Sequence, residues 1–111
     1  MNIALIGGSG FVGTRLTKRL LDAGHEIRIL DKNDSLTYPK LRVQADVRDV
    51  ESIVKNLSDI DLVVNLAAEH RDDVSPKSLY DDVNVTGAEN VCTACKQVGI
   101  KKIIFTSSVA V

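Results

Sequence analysis

The sequence predicts an α/β fold, a doubly wound parallel sheet with helices on both faces. Short β-type apolar runs alternate with stretches of helical periodicity, and that alternation implies right-handed crossovers and parallel pairing. The first apolar run also ends in a glycine-rich turn, Gly7, Gly8, Gly10 and Gly13, at the point where the pattern becomes helical.

That first unit organises the rest. Asn2 to Ile6 reads as a strand, and residues 11–23 as a helix closed by Gly24, with Val12, Leu16 and Leu20 four apart on one face. Glycines permit a tight turn and let a pyrophosphate approach the backbone. The N–H groups that open the helix then face the anion, with the helix dipole adding to the attraction. The spacing fits G-x-G-x-x-G starting at Gly8 and G-x-x-G-x-x-G starting at Gly7. In both, Gly13 lies one helical turn in, where a missing side chain lets helix and sheet pack closely.

A second strand over residues 27–30 ends in Asp31, 18 residues after Gly13. An acid about 20 residues beyond the glycines meets the ribose hydroxyls of NAD in dinucleotide-binding units. Its carboxylate can accept hydrogen bonds from a diol and would repel a 2′-phosphate. Lys32 beside it weakens that preference, because a cation at this corner can accommodate NADP.

Residues 33–40 are polar and hold Pro39, so they read as a loop, and residues 41–45 as a short third strand. Asp46-Val47-Arg48-Asp49 follows, with Asp49 the expected N-cap of a helix over residues 50–57 and Glu51 in its first turn. A fourth strand over residues 61–66 contains Val63-Val64, which suggests burial on both faces. It runs into Leu66, Ala67 and Ala68, small enough in part to let a ligand pass close to the backbone. Residues 69–78 read as a loop at the edge where ligands bind in open α/β sheets. A long helix over residues 78–98, closed by Gly99, leads to a fifth strand over residues 103–106.

Composition narrows the function. With 111 residues, 44% hydrophobic and 26% charged, the chain is one soluble domain's worth of sequence. Charges are interspersed and sum to −1, so no basic field invites nucleic acid. No apolar run reaches the length of a membrane span, and two cysteines suggest a reducing, cytoplasmic setting. The chain stops at Val111, directly after a strand and a Thr106-Ser107-Ser108 triplet, and is expected to be a fragment.

Other candidates weigh less. Cys92 and Cys95 fall deep in a helix rather than at a helix N-terminus, so they read as structural thiols rather than a redox pair. No residues stand at metal-ligand spacing, and His25 reads as a turn residue. His70 lies in the substrate-side loop. Hydroxyls at the end of the fifth strand can hydrogen-bond a substrate or a catalytic neighbour, or simply cap the edge. Asn84 is an unusual residue for a helix interior.

These motifs together resemble the extended short-chain dehydrogenase/reductase family, in particular its nucleotide-sugar epimerases and dehydratases, over nearly the whole chain. Gly7-x-x-Gly10-x-x-Gly13, with Phe11 and Val12 inside it, matches the family's glycine motif. Asp31 matches its ribose acid, and Asp46-Val47 looks like the pair that contacts adenine. Asn65-Leu66-Ala67-Ala68 is similar to the fourth-strand motif where the cofactor passes, although many members have His where Asn65 stands. Asn84-Val85-Thr86-Gly87 with Asn90-Val91 resembles a segment of the family's long helix, and residues 105–111 look like its fifth-strand motif.

The resemblance implies a Rossmann domain with strand order 3-2-1-4-5, truncated within residues 1–111, and NAD as cofactor. It implies cofactor contacts from Gly7, Gly10, Phe11, Val12, Gly13, Asp31, Lys32, Asp46, Val47, Leu66, Ala67, Ala68, Asn84 and Thr106. Ser108 is implied as the catalytic serine, with the family's Tyr-x-x-x-Lys pair and sugar-binding domain expected beyond Val111. The complete protein would be a homodimer that epimerises or dehydrates a nucleotide sugar by transient hydride transfer, and the 111 residues alone would be inactive. Two other readings stay open: an NADP-linked reductase of the same family, and a non-catalytic dinucleotide sensor.

Overall fold

The computed structural model describes residues 1–66 and 86–105. Five strands, β1 (Asn2–Ile6), β2 (Glu26–Asp31), β3 (Arg42–Gln44), β4 (Leu62–Asn65) and β5 (Lys102–Phe105), form one parallel sheet in the order β3-β2-β1-β4-β5. The described helices are α1 (Phe11–Asp22), α2 (Val50–Val54) and α3 (Gly87–Val98). The expected fold and strand order are both found.

Side-chain alternation along the strands explains the double winding. In β1, Ala4 and Ile6 join one apolar cluster and Ile3 and Leu5 another. The first cluster also takes Leu30, Val63, Ile53 of α2, and Val91, Ala94 and Cys95 of α3. The second takes Ile27, Ile29 and Val64, with Leu16, Leu20 and Leu21 of α1 packed on it. Val63 and Val64 are both buried and belong to opposite clusters, the two-sided burial their sequence suggests. α1 therefore covers one face, and α2 with α3 covers the other.

This arrangement makes a topological switch point. The chain leaves β1 through α1 toward β2, then returns past β1 to β4 on the other side. The C-terminal ends of β1 and β4 are neighbours, with Ile6 paired to Asn65 and the Leu66 N–H donating to the Ile6 carbonyl at 2.7 Å. Crevices of this kind are where ligands bind in open α/β sheets.

Several expected boundaries move. α2 ends at Val54 rather than at residue 57, and the next residues form tight turns in which Asn56 and Leu57 N–H groups donate to Ile53 and Val54 carbonyls. Leu57 is still core, so its apolar character reported burial and not helix. Val12 does not share the buried stripe of α1: it is 64% exposed, and Gly13 and Thr17 are the buried residues. The packed face follows positions 13, 16, 17 and 20, the three-and-four spacing of a helix, so a run of fours drifts off it. Cys95 is in the core, as expected of a structural thiol, but Cys92 is exposed. Gly24 and Gly99 take left-handed φ of 90° and 82° just past their helices, where a residue with a side chain would be strained.

Candidate dinucleotide site at the C-terminal edge

The site starts where β1 ends. Gly7 turns the chain with φ 79°, and its N–H donates to the Leu30 carbonyl at 2.7 Å, which ties the turn to β2. Gly8 lies against the sheet: a Cβ there would come to 3.0 Å of Leu5 Cβ and 3.1 Å of Ile29 Cγ2. Gly13 lies against Gly8 in turn, since a Cβ on it would stand 2.5 Å from the Gly8 Cα and carbonyl oxygen. The close approach allowed by Gly13 is thus made to the glycine turn and not directly to a strand. Gly8, left out of the preferred motif spacing, is also enclosed, though less tightly than Gly13.

Gly10 is the exception. A Cβ added there meets nothing within 4 Å, so packing among the described residues does not demand glycine at that position. It is the N-cap of α1, with extended backbone at φ −77°, and no side chain caps the helix. The first intrahelical bond runs from the Thr14 N–H to the Gly10 carbonyl, and no acidic residue stands in the first turn. Among the described residues nothing caps the N–H groups that open α1, which suits them to an anionic ligand. Phe11 and Val12 are exposed at the rim, and the Arg15 guanidinium stacks on the Phe11 ring at 5.0 Å.

The end of β2 forms the second wall. Asp31 is half-buried, and both of its carboxylate oxygens are held: Oδ2 accepts from the Ser9 N–H at 3.0 Å and Oδ1 from the Asn33 N–H at 2.9 Å. Each oxygen keeps a lone pair for a further donor, as a vicinal diol requires. Lys32 is exposed, and its carbonyl accepts from Arg42 Nη2 at 2.9 Å.

The loop after β3 forms the third wall. Arg48 grips the Asp46 carboxylate, with Nη2 2.7 Å from Oδ2, and its backbone N–H donates to Oδ1 at 2.9 Å. The Arg48 side-chain hydrogen bond, outweighing partial burial and helped by that N–H and by the Arg48 charge, holds the Asp46 carboxyl below its ordinary value. Val47 is buried, and its carbonyl accepts from Asn90 Nδ2 of α3 at 2.8 Å, which pins the loop across the core. Asp49 caps α2 through the Glu51 N–H, as expected.

Glycine turn, Asp31, Lys32, Asp46, Val47 and Leu66 thus lie on or beside the C-terminal ends of β1, β2, β3 and β4. Ala67, Ala68, Asn84, Thr106 and Ser108 lie outside the described residues, as do His70 and the loop over residues 69–78. Sequence reasoning missed Ser9 and Arg42, which organise the Asp31 corner, and saw Asn90 without its partner. A small hydroxyl among glycines was the available sign for Ser9. A shallow depression of about 390 Å³ lined by Met1, Asp61, Gly99 and Lys101 sits at the opposite edge, where the strands begin.

The 3-beta hydroxysteroid dehydrogenase/isomerase family model matches residues 4–111, and the chain belongs to that family. The chain is 56% identical over 110 residues to the N-acetyl-alpha-D-glucosaminyl-diphospho-ditrans,octacis-undecaprenol 4-epimerase of Escherichia coli O157:H7, covering 99% of this chain and 33% of that protein. It is 35% identical to a 3 beta-hydroxysteroid dehydrogenase/Delta 5-->4-isomerase of Mycobacterium tuberculosis, over 96% of this chain and 31% of that one. Among solved structures it resembles the UDP-glucose 4-epimerase of Thermus thermophilus in complex with NAD, with TM-score 0.86 and 30% identity, covering 97% of this chain and 38% of that one. The chain spans about a third of the length of the relatives it matches. The resemblance to extended short-chain dehydrogenases/reductases and the Rossmann architecture both hold.

Proposed function

We propose that residues 1–111 are the NAD-binding part of a 4-epimerase that acts on a hexosamine carried on a diphosphate. The observation that carries this reading is the open approach at Gly10 beside a doubly held Asp31 carboxylate, in a chain 56% identical to a 4-epimerase. The residues fit the cofactor: among the described residues no side chain fills the space at Gly10, where a pyrophosphate needs the backbone, and the corner offers an acceptor pair for a diol.

In this reading the N–H groups of Phe11, Val12 and Gly13 bind the pyrophosphate, and Gly10 gives it room. Asp31 accepts from the adenosine ribose, with Lys32 at the rim. The Asp46-Val47 segment meets the adenine edge, as the family resemblance suggests, with Val47 anchored in the core behind it. Leu66, Ala67, Ala68, Asn84 and Thr106 line the path toward the nicotinamide. Bound NAD supplies reversible oxidation at the sugar carbon. Ser108 holds the reacting hydroxyl by hydrogen bonding, and the proton goes to a base of the complete protein. The family's dehydratase chemistry is the less favoured outcome, because the 56% identical relative and the Thermus structure are both 4-epimerases.

The carrier has two readings, each favoured by a relative. The 56% identical relative is named for an undecaprenol-linked sugar, and the Thermus structure for a UDP-sugar. In the first case the substrate sits in a membrane and the protein docks to it; among the described residues no helix is long and apolar enough to cross one. The family resemblance supports the further proposal of a cytoplasmic homodimer. The test supplies the full-length protein with UDP-N-acetylglucosamine and with the undecaprenyl-diphosphate-linked sugar, then counts N-acetylgalactosamine after hydrolysis. Product from either supports the reading and identifies the carrier. Product from neither overturns it.

A further inference from the structure

The Asp31 corner is held by more than its own loop. The Ser9 backbone N–H donates to Asp31 Oδ2 at 3.0 Å, and the Ser9 hydroxyl donates to the Asn33 carbonyl at 3.0 Å. The Asn33 N–H meanwhile donates to Asp31 Oδ1 at 2.9 Å. These bonds close a ring: glycine turn to carboxylate, carboxylate to Asn33, Asn33 back to the glycine turn. Arg42 holds the same loop from its other side. Its Nε donates to the Asp31 carbonyl at 3.2 Å, its Nη2 to the Lys32 carbonyl at 2.9 Å, and its Nη1 lies 2.9 Å from Asp34 Oδ1.

We propose that Ser9 is a positioning residue for cofactor selectivity, its hydroxyl locking the Asp31 loop so that the carboxylate accepts a ribose diol and cannot swing away from a 2′-phosphate. The inference rests on the NAD reading above. A carboxylate fixed by two N–H donors keeps its free lone pairs on one side, which suits two hydroxyls one bond apart. The same rigidity makes refusal of a phosphate strong, since like charges are worst when neither can move or rehydrate. Arg42 already has its Nε, Nη2 and Nη1 engaged by two carbonyls and Asp34, so the cation left at this corner is the exposed Lys32 on its flexible stem. Selectivity here therefore depends on geometry as well as on the charge of Asp31. Ser9→Ala leaves the backbone N–H bond and removes only the hydroxyl tie, so the loop gains freedom while the charge stays.

The test measures NAD and NADP binding to the full-length protein by calorimetry for wild type, Ser9→Ala and Ser9→Thr, with thermal midpoints as a folding control. The expected result is a fall of about fivefold or more in the NAD-over-NADP preference of Ser9→Ala, worth about 1 kcal/mol. The hydroxyl of Ser9→Thr should restore it. An unchanged preference in a folded Ser9→Ala, or parallel loss of both dinucleotides, overturns the latch and leaves the NAD reading standing. Wild-type protein that binds neither dinucleotide overturns that reading, and this inference with it.

Discussion

Gly10 and Gly13 sit three residues apart in one turn, and alanine should do opposite things at the two. At Gly13 a Cβ would lie 2.5 Å from the Gly8 Cα and carbonyl oxygen and 2.6 Å from its carbonyl carbon, all backbone atoms that no rotamer change can move. Overpacking of this kind costs about 1–3 kcal/mol and sometimes more. Alanine's better helix propensity returns at most about 1 kcal/mol. Gly13→Ala should therefore be clearly destabilised. At Gly10 the added Cβ meets nothing within 4 Å, and φ is an ordinary −77°. Loss of a tolerated N-cap glycine costs up to about 1 kcal/mol, and restriction of the unfolded chain offsets about 0.4–1 kcal/mol. Its stability should then match wild type within about 1 kcal/mol. Dinucleotide affinity should nonetheless fall at least tenfold, about 1.4 kcal/mol, because the methyl group takes the space of the pyrophosphate. Urea denaturation without ligand and calorimetry with NAD, both on the full-length protein, separate the two quantities. A Gly10→Ala variant that binds NAD like wild type, or that loses as much stability as Gly13→Ala, would refute the reasoning.

Other outcomes follow from single residues. Asp31→Ala should narrow the preference for NAD mainly by relieving NADP binding; NADP affinity that does not improve would mean the carboxylate is not the repelling group. Asp46, held below its ordinary 3.8 first by the Arg48 side-chain hydrogen bond, contributes stability that is complete above that value and fades as pH falls through the depressed one. The stability gap between wild type and Asp46→Asn, followed from about pH 6 to about pH 3, should close on the acid side; a gap that widens there contradicts the assignment. Burial, with the neighbouring Cys92 adding to it, pushes the Cys95 thiol up to about 11, while Cys92 is exposed. Native alkylation near neutral pH should modify Cys92 and spare Cys95 until the protein is unfolded, as read by tandem mass spectrometry; equal labelling would show that α3 opens readily.

The fold was legible because its signals are periodic and local. The apolar run of β1, the Val63-Val64 pair and the glycines past α1 and α3 each report a physical requirement that the structure meets at that position. The Asp31 corner and the Asp46 loop were legible as motif positions. What was not legible is how those positions are held. Ser9 to Asn33 spans 24 residues, and Asn90 to Val47 spans 43, and no pattern in the chain says which hydroxyl or amide closes such a contact. Val12 and Leu57 show the other limit. Apolar character marks a residue for burial or for a ligand, and only the packing says which: Leu57 is core outside a helix, and Val12 is exposed within one.

The central claim is that the cofactor cradle serves an oxidation that is reversed on the same sugar. The full-length protein can be given the substrate with deuterium at C4, and the product N-acetylgalactosamine read by mass spectrometry. The deuterium should stay with the sugar through many turnovers, without any added reductant. Loss of the label to solvent would contradict the claim.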